Sequence, residues 1–132
     1  MKDGSFDFAL SIFAPISGEE TARVLKRDGK LIVASSGERH LFEMREVLYE
    51  EPREASGSVR CPEGFALEDE EMLSYRVTVD GNDAVRDLFF MTPFCYKTSI
   101  KDMEKLSSVN SLEVTVAVKL SVFGRISAAE RP

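Results

Sequence analysis

Residues 6–15, Phe6-Asp7-Phe8-Ala9-Leu10-Ser11-Ile12-Phe13-Ala14-Pro15, decide the fold. Apolar side chains fall on both faces of Phe6–Phe13, the pattern of a strand inside a parallel sheet. Pro15 ends the run. The loop Phe13-Ala14-Pro15 therefore lies at a strand's C-terminal edge, where open α/β sheets bind ligands. Met1–Ser5, polar and containing Gly4, reads as a lead-in.

Working outward, Ser17-Gly18-Glu19-Glu20 is a capping box, with Ser17 as cap and Glu20 reaching back. Thr21, Ala22, Val24 and Leu25 supply the buried side of a helix that Gly29 is placed to terminate. Lys30–Ser35 follows as a second short apolar strand. Strand, helix and strand with tight connections form one right-handed crossover. Leu41, Met44, Val47 and Leu48 recur at helical spacing over residues 39–51, and Pro52 closes that helix. Residues 52–64 carry Gly57, Pro62 and Gly64 and read as a loop.

The second half predicts a strand around Leu73–Val79 with two distinguishable faces, and Asp80-Gly81-Asn82-Asp83 as a turn and cap. A helix over Ala84–Met91 is broken by Thr92-Pro93, and Ser99 caps another over Ser99–Leu106. Leu112, Val114, Val116, Val118, Leu120 and Val122 then share one face of a long strand, antiparallel to its neighbour. The organisation expected is one domain over residues 1–132. It has a lead-in at 1–5, a β-α-β-α unit at 6–51, the loop at 52–64, a β-α-β closing unit at 65–123 and a tail at 124–132.

Composition narrows the class. The 132 residues are 43% hydrophobic and 30% charged, ordinary for a single globular domain. No apolar run approaches the ~20 residues of a membrane span, and no secretory signal is evident, so the cytoplasm is the expected location. The net charge of −6 opposes any grip on nucleic acid by its phosphates. If RNA is the substrate, its main grip is expected outside this chain. Cys61, Cys95 and His40 have no metal-ligand spacing, so no metal is expected.

Specific strings carry a resemblance. Leu10–Pro15, Glu19-Glu20, Ala22–Lys26 and Gly29 are followed by Gly37, Arg39-His40-Leu41, Glu43 and Leu48-Tyr49. Glu63-Gly64-Phe65, Leu73-Ser74-Tyr75, Ala84-Val85 and Met91-Thr92-Pro93-Phe94 continue the series. Together they resemble the C-terminal part of the family that methylates N1 of a guanine in large-subunit ribosomal RNA. The fold this implies is α/β, the second half of a Rossmann-like class I methyltransferase sheet. The cofactor implied for the parent enzyme is S-adenosylmethionine. The family's four-cysteine zinc module and glycine-rich cofactor loop have no counterpart here, and no G-x-G occurs in the chain. Tight cofactor binding, and activity of the chain by itself, are therefore not expected; its cofactor-binding residues are unassigned.

The resemblance also implies roles. Ser11, Phe13, Ala14 and Pro15 would face the target base, Ser11 by a hydrogen bond and Phe13 by stacking. Arg39 would meet a phosphate or the cofactor carboxylate. His40 would assist removal of the guanine N1 proton, since an imidazole titrates near neutrality. Phe94 and Tyr96 would stack on a flipped base. Each also suits a structural role: Phe13 and Phe94 as core, Pro15 as a helix start, His40 as a cap. The acidic run Glu68-Asp69-Glu70-Glu71 reads as solvated surface.

Without the half of the sheet that precedes it in the family, Phe6–Phe13 becomes an edge strand apolar on both faces. Such an edge pairs with another chain, so a homo-oligomer through Phe6–Phe13 is expected, with ribosomal RNA met through the full-length enzyme. Two alternatives stay open: a non-enzymatic protein-binding module derived from the methyltransferase fold, and an unrelated small α+β domain.

Overall fold

A computed structural model describes residues 1–52 and 60–126. The expectations for residues 53–59 of the loop and 127–132 of the tail lie outside the described residues. The chain divides into two compact units. Residues 1–37, 57–73 and 118–132 make the first, and 38–56 and 74–117 the second.

In the first unit, strand β1 (Phe6–Ile12) leads through helix α1 (Gly18–Val24) to strand β2 (Leu25–Ser36). These strands are parallel, with Phe8 opposite Lys30 and Ile12 opposite Ala34. Strand β4 (Ser111–Arg125) lies antiparallel to β2, with Lys30 opposite Gly124 and Ser36 opposite Val118. Strand β3 (Phe65–Asp80) completes the order β1-β2-β4-β3. The chain is thus α/β with a four-stranded mixed sheet, and the expected parallel pair and antiparallel final strand are both present. Leu25, Leu31, Val33, Phe65 and Phe123 form the core, with Ala9, Ile16 and Ala22 packed against them.

β1 occupies an edge, not the buried centre that its two apolar faces suggest. Phe6, Phe8, Leu10 and Ile12 are 43%, 59%, 60% and 63% exposed. The alternation of a strand puts these four on one face, while Ala9 faces the core.

Helix α1 is shorter than its sequence suggests. The Ser17 hydroxyl accepts the Glu20 amide, as a capping box requires. The Glu20 carboxylate does not reach back; it holds Arg23. The helix stops at Val24, before Gly29, because fully buried Leu25 begins the next strand. The ladder slips from Phe6–Leu25 to Phe8–Lys30, so residues 26–29 bulge from it. Gly29 belongs to that bulge: a Cβ there would lie 2.9 Å from the Lys26 carbonyl oxygen.

β3 begins eight residues earlier than the Leu73 start read from its alternation. The acidic run lies within it as pairing residues as well as surface. Both Glu68 carboxylate oxygens are 2.7 Å from Lys30 Nζ, and Glu70 lies 3.1 Å from Lys119 Nζ. On β4 the buried residues in this unit are Ser121, Phe123 and Gly124, with Val118, Leu120 and Val122 only half-buried. The expected apolar face is not the better-buried one here, because Phe123 packs into the core with Leu25, Leu31, Val33 and Phe65.

The second unit gathers helices α2 (Phe42–Leu48), α3 (Asn82–Phe90) and α4 (Ile100–Met103) with single 3-10 turns at Pro93–Tyr96 and Glu104–Ser108. Met44, Leu48, Val85, Phe89 and Leu106 form its core. α2 ends at Leu48, short of Pro52, where the Tyr49 amide closes onto the Arg45 carbonyl. Gly81 precedes α3 at φ 97°, a conformation that favours glycine. The Asn82 side chain donates to the carbonyls of Leu106 and Val109 at 2.7 and 2.8 Å. Ser99 caps α4 as its sequence predicts, accepting the Asp102 amide at 3.1 Å.

Candidate functional site

The loop after β1 is built by a backbone reversal. Phe13 adopts φ 50°, left-handed and uncommon for a bulky residue. Its amide still donates to the Ala34 carbonyl at 2.9 Å, extending the β1–β2 ladder by one bond. Ser11 donates through Oγ to the Ala14 carbonyl at 3.2 Å and so braces the turn. Phe13 is 55% exposed, and Ala14 and Pro15 are exposed beside it. All four residues expected to face a base are therefore together at the C-terminal end of β1.

The second group belongs to the other unit. Leu41, at φ 53°, is the second bulky residue in the left-handed region, and it precedes α2. Its amide donates to the Thr115 carbonyl at 2.8 Å. The Glu43 carboxylate accepts the Thr115 amide at 2.7 Å and the Thr115 hydroxyl at 2.9 Å. His40 Nδ1 accepts the Ala117 amide at 3.1 Å. Residues 40–43 thus take the hydrogen bonds of β4 where its pairing with β2, which ends at Val118, no longer reaches.

Arg45 acts on two of the expected site residues of this unit, Phe94 and His40. Its guanidinium sits 4.6 Å from the Phe94 ring centroid, a cation–π contact. Burial depresses the His40 pKa below its ordinary value, and the Arg45 charge depresses it further. The imidazole is accordingly neutral at pH 7. With Nδ1 accepting a hydrogen bond, the neutral ring carries its proton on Nε2. Arg45 itself is pushed down by burial. Arg39 lies over the Phe42 ring at 3.7 Å. Phe94 is half-buried against the helical core, whereas Tyr96 is 89% exposed.

Sequence reasoning missed Glu43 as a contact, and Arg45, Thr115 and Ala117 altogether. Arg45 was within reach, because it lies one helical turn beyond Leu41 on the face that carries Leu48. The β4 partners were not, since the His40–Ala117 bond spans 77 residues of chain.

The described residues do not fit a nucleotide-type cofactor. Such a site needs backbone amides presented by a glycine-rich turn after a parallel strand. The turn after β1 carries Phe13, Ala14 and Pro15, and the Ser17 hydroxyl beyond it is engaged in capping. Described glycines at positive φ are Gly4, Gly64 and Gly81, none of which directly follows β1 or β2. Among the described residues, no group of three or more His, Cys, Asp or Glu is placed to hold a metal. No helix among them is long and apolar enough to cross a membrane.

Comparison with known proteins agrees with the sequence resemblance. Over 125 residues the chain is 31% identical to a Bacillus subtilis (strain 168) protein named "Putative 23S rRNA (guanine-N(1)-)-methyltransferase YxjB". The chain is thus similar in sequence to a protein named for guanine-N1 methylation of 23S rRNA. The alignment covers 91% of this chain and 44% of that relative, so the chain spans less than half the relative's length. No family model matches. Among solved structures, a Bacillus halodurans C-125 protein described as "a putative methyltransferase (BH2331)" is 14% identical with a TM-score of 0.48, covering 96% of this chain and 67% of that one. A protein named MccD is 16% identical with a TM-score of 0.44, covering 96% and 63%.

Proposed function

We propose that residues 1–132 are one domain, the C-terminal part of an S-adenosylmethionine-dependent methyltransferase acting on N1 of a guanine in large-subunit ribosomal RNA. The observation that carries this is the 31% identity across 91% of the chain to a relative whose name states that activity. In this reading Ser11, Phe13, Ala14 and Pro15 present the C-terminal end of β1 to the base. Arg39, Phe94 and Tyr96 are further substrate contacts, and His40 assists at N1, which requires its Nδ1 to release the Ala117 amide or its Nε2–H to donate. Catalysis in such a transfer is mostly orientation of donor and acceptor. In this reading the reaction takes place in the cytoplasm.

The chain alone is inactive in this reading, which is supported by the lack, among the described residues, of a glycine-rich turn after β1. Deleting the gene that encodes it tests the activity. Loss of one N1-methylguanosine from large-subunit RNA, read by nucleoside mass spectrometry, is expected; an unchanged content overturns the assignment. Calorimetric titration of the purified chain with S-adenosylmethionine tests its inactivity. No heat at millimolar ligand is expected, and micromolar binding overturns that claim.

The exposed apolar row on β1 favours a second reading, a non-enzymatic oligomerisation or protein-binding module derived from this fold. In either reading the isolated chain forms a homo-oligomer through the Phe6–Phe13 edge.

A further inference from the structure

Two alternations along β1 fall in step. The Ser5 amide donates to the Val24 carbonyl and the Phe13 amide to the Ala34 carbonyl, both at 2.9 Å. Backbone groups alternate between the two sides of a strand, so the odd-numbered residues between these two direct their N–H and C=O groups toward β2. Phe6, Phe8, Leu10 and Ile12 direct theirs the other way, to the side where the order β1-β2-β4-β3 ends. These are the four residues whose side chains form the apolar row, each at least 43% exposed. Backbone groups and apolar side chains are therefore offered to a partner by the same residues.

Charge selects which strand fits. The opposite edge of the sheet, β3, carries the acidic run Glu68-Asp69-Glu70-Glu71, of the same sign as Asp7, the single charged residue of β1. A second β1 brings only one acid, and that one is already paired, with Asp7 2.9 Å from Lys26 Nζ.

Register selects how two such strands meet. Antiparallel pairing about a two-fold axis at Ala9 sets Phe6 opposite the partner's Ile12 and Phe8 opposite the partner's Leu10. All four apolar residues then meet apolar residues, at positions that exchange hydrogen bonds. Asp7 stands opposite the partner's Ser11, so no like charges oppose. An axis at Phe8 leaves Ile12 opposite Gly4, and an axis at Leu10 leaves Phe6 opposite Ala14. An axis between two residues sets the apolar row against the other face.

We infer that β1 is a self-recognition strand, pairing antiparallel with β1 of a second copy about a two-fold axis at Ala9. This rests on the homo-oligomer reading above and adds to it the partner strand, its direction and its register. The same patch serves both copies, so the assembly closes at a dimer. Phe13 of each copy stands beside the partner's Ser5. The two Phe13-Ala14-Pro15 loops consequently lie at opposite ends of the paired strands, ~27 Å apart at ~3.4 Å per residue.

Amide exchange of the parent chain, read residue by residue over a concentration series alongside sedimentation, tests the strand. Phe8, Leu10 and Ile12 amides should gain protection as dimer forms, while Ala9 and Ser11 stay protected throughout. Single cysteines in a Cys61→Ser/Cys95→Ser background test the register under diamide oxidation. Ala9→Cys should form disulfide-linked dimer on the order of tenfold faster than Phe8→Cys or Leu10→Cys. Opposed Cα atoms of a non-hydrogen-bonded pair lie ~4.5 Å apart, within disulfide reach, whereas diagonal neighbours lie ~7–8 Å apart. A parent chain that stays monomeric overturns both this inference and the homo-oligomer reading. A dimer without protection at Phe8, Leu10 and Ile12, or one that cross-links fastest away from Ala9, overturns this inference alone. The methyltransferase reading is judged separately, on the N1-methylguanosine measurement.

Discussion

His40 Nδ1 accepts the backbone amide of Ala117 at 3.1 Å, and Ala117 is 4% exposed. A side chain from the turn before α2 therefore satisfies a buried strand amide where β2 no longer pairs with β4. The histidine singled out by its chemistry is also a structural acceptor. These two roles separate experimentally.

His40→Ala leaves the Ala117 amide buried without a partner and should cost about 1–3 kcal/mol in urea unfolding. His40→Asn places Oδ1 near the position of Nδ1 and should recover much of that loss. If the Asn variant is stable but cells carrying it lose the proposed N1-methylguanosine, the imidazole does more than brace the strand. If stability and activity return together, bracing is its whole contribution.

The same bond sets a pH dependence. His40 has its pKa lowered in the folded chain, first by burial and then by Arg45, whereas the unfolded value is about 6.5. Between those two values the unfolded chain binds more protons, so stability rises with pH. The contribution is complete above about pH 6.5 and is lost as pH falls through the folded value. Unfolding midpoints measured across mildly acidic pH should show this slope in the parent and lack it in His40→Asn. An identical slope in both would assign it to other groups.

Glu43 and Thr115 should be energetically coupled. Removing the carboxylate takes away two hydrogen bonds to a charged acceptor, each worth about 1.5–3 kcal/mol when well made. Glu43→Ala should therefore destabilise clearly, Glu43→Gln less, and Thr115→Val by the hydroxyl bond alone. A double-mutant cycle should return a coupling of about 0.5–3 kcal/mol. Additive effects would mean that the carboxylate does not hold Thr115 in solution.

Gly29→Ala should destabilise by about 1–3 kcal/mol, the range for overpacking a tight site. The new methyl would meet the Lys26 carbonyl oxygen at 2.9 Å, Leu25 Cβ at 3.1 Å and the Asp7 carbonyl oxygen at 3.2 Å. Two of these are backbone, and Leu25 is fully buried, so none can easily give way. A thermal midpoint unchanged from the parent would show that the bulge at residues 26–29 is looser than this.

Gly29 also shows where sequence reading stops. It looks like a helix terminator because Leu25, Lys26 and Arg27 continue the helical pattern. Its actual constraint is the tight bulge it shares with Leu25 and Lys26, with the Asp7 carbonyl of β1 close beside it, and that bulge depends on a register slip that no local pattern announces. Local chemistry was readable where one element contained both partners, as at the Ser17 and Ser99 caps. The acidic run was read as surface because Lys30 and Lys119, its partners, lie on other strands. The candidate site divides in the same way. The β1 loop is contiguous, so its residues are read together from the sequence, whereas the Thr115 and Ala117 partners of Glu43 and His40 are more than seventy residues away.

The edge strand gives the last prediction. Phe6, Phe8, Leu10 and Ile12 share one face of β1 and are all at least 43% exposed, beside a free row of backbone groups. Fully burying any one of them in a partner should contribute about 1.5–3 kcal/mol. A lysine on an edge strand opposes such pairing through its charge and hydration. Leu10→Lys or Ile12→Lys should therefore weaken self-association about tenfold to a hundredfold, moving sedimentation toward the monomer. Because both side chains are already exposed, neither substitution should lower the unfolding midpoint of the monomer. A parent chain that sediments as a monomer at high concentration would mean that β1 does not pair with a second copy. The apolar row would then call for a different covering partner.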